Sequence, residues 1–315
     1  MKKKIAFLFP GQGAQYLGMG NDFFDSFAIA RETFQEADEI LNENLSKIIF
    51  EGPEGLLTQT RNAQVAIFVT SAAIFRTIQE QIPELIPSIC SGLSLGEYTS
   101  LFASGRLGFA ETLTLVQERA RLMNEACEKV PGTMAAVLGL DASGVEAAMK
   151  GLAGAWVANY NAPGQTVISG TQEGVAAAAL ILKQKGAKRV IPLTVHGAFH
   201  SALMQSAQDG LSSWIERAPI QESQIAFVMN VPGNFVCDAH EMRRNLISQV
   251  TQSVRWEQGI SAMKADGVEL YLEIGCGKTL SGLNKKIGIL EPTFSVDKVV
   301  DLDGVIRQLD LIARV

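Results

Sequence analysis

Gly92-Leu93-Ser94-Leu95-Gly96 sets a serine between two glycines, after the apolar segment Leu85–Cys90 and before the helix-compatible stretch Glu97–Phe102. A G-x-S-x-G joining a strand to a helix is a nucleophile elbow. The turn is sharp enough to hold the serine in strained backbone angles. The flanking positions must then be nearly without side chain, because strand and helix pass close to each other. The serine oxygen is left at the tip beside a helix N-terminus, whose unpaired N–H groups can hold an oxyanion. The chemistry expected is covalent, with Ser94 forming an acyl-enzyme. With 29 glycines in 315 residues the pattern is expected by chance about 0.1–0.2 times, so its surroundings have to agree.

A serine nucleophile needs a base, usually histidine. The chain has three: His196, His200 and His240. His240 sits among charges in Cys237-Asp238-Ala239-His240-Glu241 and reads as a solvated side chain. His196 and His200 lie where the chain leaves a small domain for a larger one, a preferred place for a site. His200 also precedes a helix and is the expected base; His196 is the lesser candidate, and either could be a loop hydrogen-bonder. No acidic residue between Ser94 and His200 stands out as the orienting carboxylate of a plain esterase. Arg119 lies in a helix with Leu113, Leu115, Val116 and Met123. It either snorkels outward or holds a substrate carboxylate in a two-pronged ion pair, and the residues alone leave both open.

The elements that must position these groups follow from periodicity and turn residues. Lys4–Phe9 reads as a buried strand ending in the turn Pro10-Gly11-Gln12-Gly13, which lacks the Lys-Ser or Lys-Thr of a phosphate loop. Residues 24–41, 63–82 and 110–129 read as helices and residues 85–90 as the strand into the elbow. From Thr133 the order is strand 134–138, helix 142–152, strands 156–159 and 166–169, helix 172–185 and strand 189–193. That β-α-β-β-α-β order is a ferredoxin-like unit. Helix 202–217, strand 225–229, helices 238–248 and 256–265, strand 270–274 and a helix from Thr279 follow. The fold expected is α/β, with a discontinuous large domain (1–130 and 197–315) and an inserted small domain (131–196).

The bulk properties bound the function. A chain 47% hydrophobic and 19% charged has ample core, and its net charge of −6 argues against nucleic acid as the main partner. Cys90, Cys127, Cys237 and Cys276 are far apart and suggest neither a zinc site nor a disulfide framework, so a reducing, cytoplasmic setting fits. Met1-Lys2-Lys3-Lys4 followed by Ile5–Phe9 imitates a signal peptide, but the apolar run is too short; no run is long enough to span a membrane.

These residues resemble the malonyl-CoA:acyl carrier protein transacylases of fatty-acid synthesis and the acyltransferase domains of polyketide synthases. The likeness runs nearly end to end. It covers Phe9-Pro10-Gly11-Gln12-Gly13-Ala14-Gln15, the elbow with Glu97-Tyr98, and Val116-Gln117-Glu118-Arg119-Ala120-Arg121-Leu122-Met123. It continues through Asn161-Ala162-Pro163-Gly164-Gln165, Gly197-Ala198-Phe199-His200-Ser201, Leu246-Ile247-Ser248-Gln249-Val250 and Glu273-Ile274-Gly275-Cys276-Gly277-Lys278. The resemblance implies an α/β-hydrolase-like large domain with the ferredoxin-like small one inserted.

It also implies roles. Ser94 would be the nucleophile, His200 the base, and a carbonyl of Gln249 its orienter. The backbone N–H groups of Gln12 and Leu95 would form the oxyanion hole, and Arg119 would bind the free malonyl carboxylate. No cofactor or metal is implied; the substrates are malonyl-CoA and acyl carrier protein, with no nucleic acid and no membrane. Phe199 stands where, in the polyketide enzymes, phenylalanine goes with malonyl and smaller residues with methylmalonyl. One methyl group is worth only about 1–3 kcal/mol of discrimination.

Leu93 replaces the histidine usual before the nucleophile and removes a polar group beside Ser94; Cys276 and Ala120 replace a usual proline and glycine. An acidic carrier protein would need a basic patch on this acidic chain. Lys183, Lys185, Lys188 and Arg189 form one candidate, and Lys278, Lys285 and Lys286 another; ordinary solvated charge is the alternative for both. Two rival functions remain, a serine acyl hydrolase and a non-catalytic carrier-docking module. Arg119, Phe199 and the neutral Gln249 argue against the first, and the complete Ser94–His200–Gln249 set against the second.

Overall fold

Short apolar runs bounded by turns form strands covered on both faces, and Ile5–Phe9 (β1) is buried at every position. The computed structural model describes residues 3–195 and 197–313. After β1 come α1 (Asn21–Ser26), α2 (Ala28–Leu41), α3 (Leu45–Glu51), α4 (Glu54–Leu57) and α5 (Thr60–Gln81). Then follow β2 (Ile89–Gly92), α6 (Gly96–Ala103) and α7 (Phe109–Lys129). The middle of the chain is β3 (Thr133–Leu138), α8 (Ala142–Met149), β4 (Ala155–Ala162), β5 (Gln165–Gly170), α9 (Gln172–Gln184) and β6 (Arg189–Pro192). A 3-10 turn (Ala202–Met204) leads to α10 (Gln205–Arg217), β7 (Ala226–Met229), β8 (Asn234–Phe235) and α11 (Ala239–Gln249). The chain ends with α12 (Trp256–Ala265), β9 (Leu270–Ile274), α13 (Thr279–Ile287), β10 (Thr293–Val296) and α14 (Val299–Ala313).

The fold is α/β. One sheet has six strands in the order β10-β9-β1-β2-β7-β8, parallel except for β8. β1 leads on to β2 on one side and β9 to β10 on the other, so the crevice beyond the carboxyl ends of β1 and β9, next to the turn after β2, is where such sheets bind ligands. The second sheet is antiparallel, β4-β5-β3-β6, the ferredoxin-like order. The long α5 lies largely buried; its Phe75 meets Phe7 and Phe9 of β1 edge-on, with ring centroids 6.3 and 6.2 Å apart. β4 is tied to the segment between α11 and α12. Val254 accepts from Tyr160 N–H and donates to the Ala158 carbonyl, both at 2.8 Å.

Several element boundaries differ from the sequence expectation. The helix expected over 24–41 is two, because Phe27 adopts an extended conformation between α1 and α2 and packs its ring against Phe23. The strand into the elbow starts at Ile89, not at residue 85. Pro87 carries no N–H for the ladder, and pairing with β1 begins only beyond it. The helix expected to reach residue 152 stops at Met149, just before Gly151 at φ 80°. β8, β10, α3, α4 and α14 have no counterpart in the sequence expectation.

Candidate active site

The elbow forms as its composition demands. Ser94 has φ 54°, in the left-handed region that non-glycine residues rarely occupy. A Cβ on Gly92 would collide with the backbone of Gly96, and one on Gly96 with the carbonyl of Phe9. Strand β2, helix α6 and strand β1 therefore touch at two glycines. Asn230, just past β7, clamps the turn: its Oδ1 accepts from Ser94 N–H at 2.7 Å, and its Nδ2 donates to the Gly92 carbonyl at 2.8 Å.

His200 follows the four-stranded sheet and also has a positive φ, 57°. That bend brings Nε2 to 2.8 Å from Ser94 Oγ. Its Nδ1 lies 2.7 Å from the backbone carbonyl of Gln249, at the end of α11. A carbonyl only accepts, so Nδ1 carries the proton and Nε2 is left to accept from the serine hydroxyl. Burial lowers the imidazole from 6.5 to about 4, and the Arg119 charge adds to this, against backbone carbonyls of Gln249 and Gln252. The ring is thus neutral at ordinary pH. His240 is exposed on α11, away from these groups, and His196 lies outside the described residues.

Arg119 does not snorkel. It is 1% exposed on α7. Its Nη2 donates to Ser94 Oγ and to Gln249 Oε1, both at 3.0 Å, and its Nη1 donates to Gln64 Oε1. The guanidinium lies over the Tyr98 ring at 5.3 Å, and its Nε–H has no partner among the described residues. Among those residues it makes no ion pair. A buried cation without a carboxylate is costly, which suits a site that takes an anion from outside. Burial lowers its pKa, but a guanidinium keeps its proton.

The Gln249 side chain has its own contacts. Nε2 donates to the Ser94 carbonyl at 2.9 Å and to Glu97 Oε2 at 2.5 Å. Glu97 Oε1 accepts from Asn230 N–H. Burial pushes the Glu97 carboxyl up to about 8, opposed by these two hydrogen bonds and by Arg119. Gln64 joins Arg119 to the other side of the site, donating from Nε2 to Gln12 Oε1 at 3.3 Å. The backbone N–H groups of Gln12 and Leu95 make no hydrogen bond among the described residues. Both stand at the carboxyl ends of central strands, free to face an oxyanion.

Ser94, His200, Arg119, Gln12, Leu93 and Phe199 line one cavity of about 190 Å³, with Asn161, Gln165 and Val167 of the antiparallel sheet opposite. That volume suits the acyl-thioester end of a substrate and not a whole coenzyme, since sites for drug-sized ligands run about 300–1,000 Å³. Leu93 and Phe199 make the lining beside the serine apolar. The basic residues do not enter it. Lys183, Lys185, Lys188, Arg189, Lys278, Lys285 and Lys286 are exposed, although Lys286 Nζ holds the cavity-lining Gln165 at 2.5 Å. Cys276 and Ala120 are buried, and burial drives the Cys276 thiol pKa up, the opposite of a reactive thiolate. Among the described residues no group of three His, Cys, Asp or Glu side chains is placed to hold a metal ion, and no helix is long and apolar enough to cross a membrane.

Asn230, Gln64 and the contacts of Glu97 are not readable from the sequence. Gln64 leaves one trace, a polar residue inside the apolar run of α5. An asparagine past a short strand reads only as a turn former.

Residues 6–280 match the acyl transferase domain family. The chain is 40% identical to the malonyl CoA-acyl carrier protein transacylase of Bacillus subtilis (strain 168), over 97% of both chains. It is 37% identical to the enzyme of the same name from Escherichia coli (strain K12), over 90% of this chain and 93% of that one. The crystal structure of the Clostridium perfringens transacylase superposes with a TM-score of 0.93 at 34% identity, covering 99% of this chain and 100% of the other. A malonyl-transacylase in complex with a type II PKS acyl-carrier protein also superposes with a TM-score of 0.93, at 36% identity, covering 97% and 100%.

Proposed function

The chain belongs to the acyl transferase family of malonyl-CoA:acyl carrier protein transacylases, and from that premise we propose how its residues divide the work. The enzyme moves malonyl from malonyl-CoA to the phosphopantetheine thiol of acyl carrier protein, supplying fatty-acid synthesis. Ser94 Oγ attacks the thioester carbonyl while His200 Nε2 takes its proton. The carbonyl oxygen becomes an oxyanion held by the N–H groups of Gln12 and Leu95. Collapse breaks the carbon–sulfur bond, and coenzyme A leaves as the thiol with the proton from His200. The carrier thiol then gives its proton to His200, attacks the Ser94 ester, and returns the hydroxyl. The Gln249 carbonyl keeps the proton on Nδ1 throughout.

One observation carries malonyl as the cargo: a buried guanidinium without a carboxylate partner, 3.0 Å from the nucleophile. Arg119 would pair with the distal carboxylate and fix the thioester carbon over Ser94. Phe199 crowds an α-substituent, and Leu93 keeps the neighbourhood of the ester apolar. The base, the anion site and the oxyanion donors all come from the chain, so the reaction as written calls on no cofactor. Residues 131–196 form the small domain and the flanking segments the large one. The four free cysteines suit the cytoplasm. Loading of Ser94 from malonyl-CoA and acetyl-CoA, compared in the parent enzyme and Arg119→Ala, tests the reading. Arg119→Ala should lose malonyl loading by about 10–150-fold, the worth of a charge-assisted contact, and should keep or gain acetyl loading. Undiminished malonyl loading would remove Arg119 from the mechanism.

A further inference from the structure

Two charged side chains are buried behind Ser94, and they do not meet. Arg119 is 1% exposed and Glu97 is fully buried, yet no ion pair joins them. The Gln249 carboxamide stands between, accepting from Arg119 at Oε1 and donating to Glu97 from Nε2. A guanidinium and a carboxylate buried so near each other would ordinarily pair directly. Here that pairing would occupy the cation that the substrate carboxylate needs.

A carboxamide has a donor end and an acceptor end of nearly equal shape, so its neighbours decide which way it faces. On the Nε2 side both neighbours accept, the Ser94 carbonyl and Glu97 Oε2. The second Glu97 oxygen is committed to Asn230 N–H. Both Glu97 oxygens therefore accept, and these donors with the nearby Arg119 favour the carboxylate against the burial that resists it. If the amide turned over, Nε2 would face Arg119 Nη2, donor against donor.

We propose that Glu97 is a positioning residue for acyl transfer: it fixes the Gln249 carboxamide with Oε1 toward Arg119, so that a neutral amide, not a carboxylate, stands between the two buried charges. The inference rests on Arg119 being the seat of the malonyl carboxylate. A glutamine at position 97 has one oxygen for two donors, so one of the two contacts fails. The charge-exchanged pair Glu97→Gln with Gln249→Glu restores complementary hydrogen bonds from Asn230 to Arg119, at the expense of the contact to the Ser94 carbonyl, and moves the carboxylate one residue closer to the guanidinium.

The experiment compares initial rates of Ser94 loading from malonyl-CoA and from acetyl-CoA, by intact-protein mass, with fold checked by circular dichroism. Glu97→Gln should lower the malonyl-to-acetyl ratio by about tenfold, the scale of an unmatched buried donor. The exchanged pair should fold and stay as unselective, because the carboxylate introduced at position 249 then occupies Arg119. Equal loss for both acyl groups in Glu97→Gln, or a ratio restored to the parent value in the exchanged pair, would overturn the proposal. Arg119→Ala in the same panel separates the two ideas: if that variant still loads malonyl fully, the role of Arg119 fails, whatever Glu97 does.

Discussion

At the scale of single residues, the site sets a neutral histidine against a serine and a buried cation beside both. The two arrangements are linked, since Arg119 touches Ser94 Oγ and also holds the His200 charge down. The linkage has a consequence in pH. As the proposed base, His200 acts only when unprotonated, and its pKa is lowered from 6.5 to about 4. Ser94 acylation from acetyl-CoA, which does not call on Arg119, should therefore stay level from pH 8 to pH 6 and fall only below about pH 5, as protons reach Nε2. Pre-steady-state loading rates across that range check this; a loss of rate centred near 6.5 would mean that the ring is not desolvated as the structure has it. Ser94 and His200 were legible in the sequence because a serine between close glycines is a local pattern and only three histidines offered a base. Arg119 was half legible: composition left it buried or solvated, and only its contacts with Gln64, Ser94 and Gln249 decide. Asn230 and Glu97 were silent because their contacts span more than 130 residues of chain.

At the scale of elements, the elbow is held by backbone approach. β2 passes α6 where Gly92 and Gly96 meet, and α6 passes the end of β1. Gly92→Ala should cost at least about 3 kcal/mol, since the new methyl meets backbone that cannot turn aside. Thermal unfolding should show a fall of about 6 °C or more, together with loss of Ser94 loading. An unshifted transition with normal loading would mean that the turn has room the structure does not show. Helices and strands with strong periodicity were readable, and α12 and β9 begin and end where residue pattern alone puts them. Boundaries set by single residues were not: Phe27 breaks a continuous helical pattern, and Pro87 delays a strand. β8 and β10 are short pairings whose strand character comes from the neighbours they meet, Phe227–Met229 and Leu270–Ile274.

At the scale of the whole molecule, two sheets face one cavity. The parallel sheet brings Gln12, Ser94 and Leu95 in the turns that follow its central strands, and the antiparallel sheet lays Asn161, Gln165 and Val167 along the same cavity as Gln12 and Ser94. The antiparallel sheet was readable from the β-α-β-β-α-β succession, but the tie between β4 and Val254 was not, because it joins segments about a hundred residues apart. Carrier docking belongs to this scale. Lys188 and Arg189 are exposed beside the end of β3, and an acidic carrier would be drawn to them despite the net charge of −6. Reversing both charges should raise the apparent KM for carrier protein about tenfold at low salt, less as salt rises, and leave malonyl loading unchanged. Equal loss of both steps would place the effect in the fold instead. The central claim, transfer through a serine ester, is tested most directly by the intact mass of the enzyme after malonyl-CoA, before and after adding holo carrier protein. One malonyl group should appear on Ser94, persist without carrier, move to the carrier thiol when it is added, and be absent from Ser94→Ala. Free malonate released as fast without carrier as with it, or acylation that survives Ser94→Ala, would contradict the account.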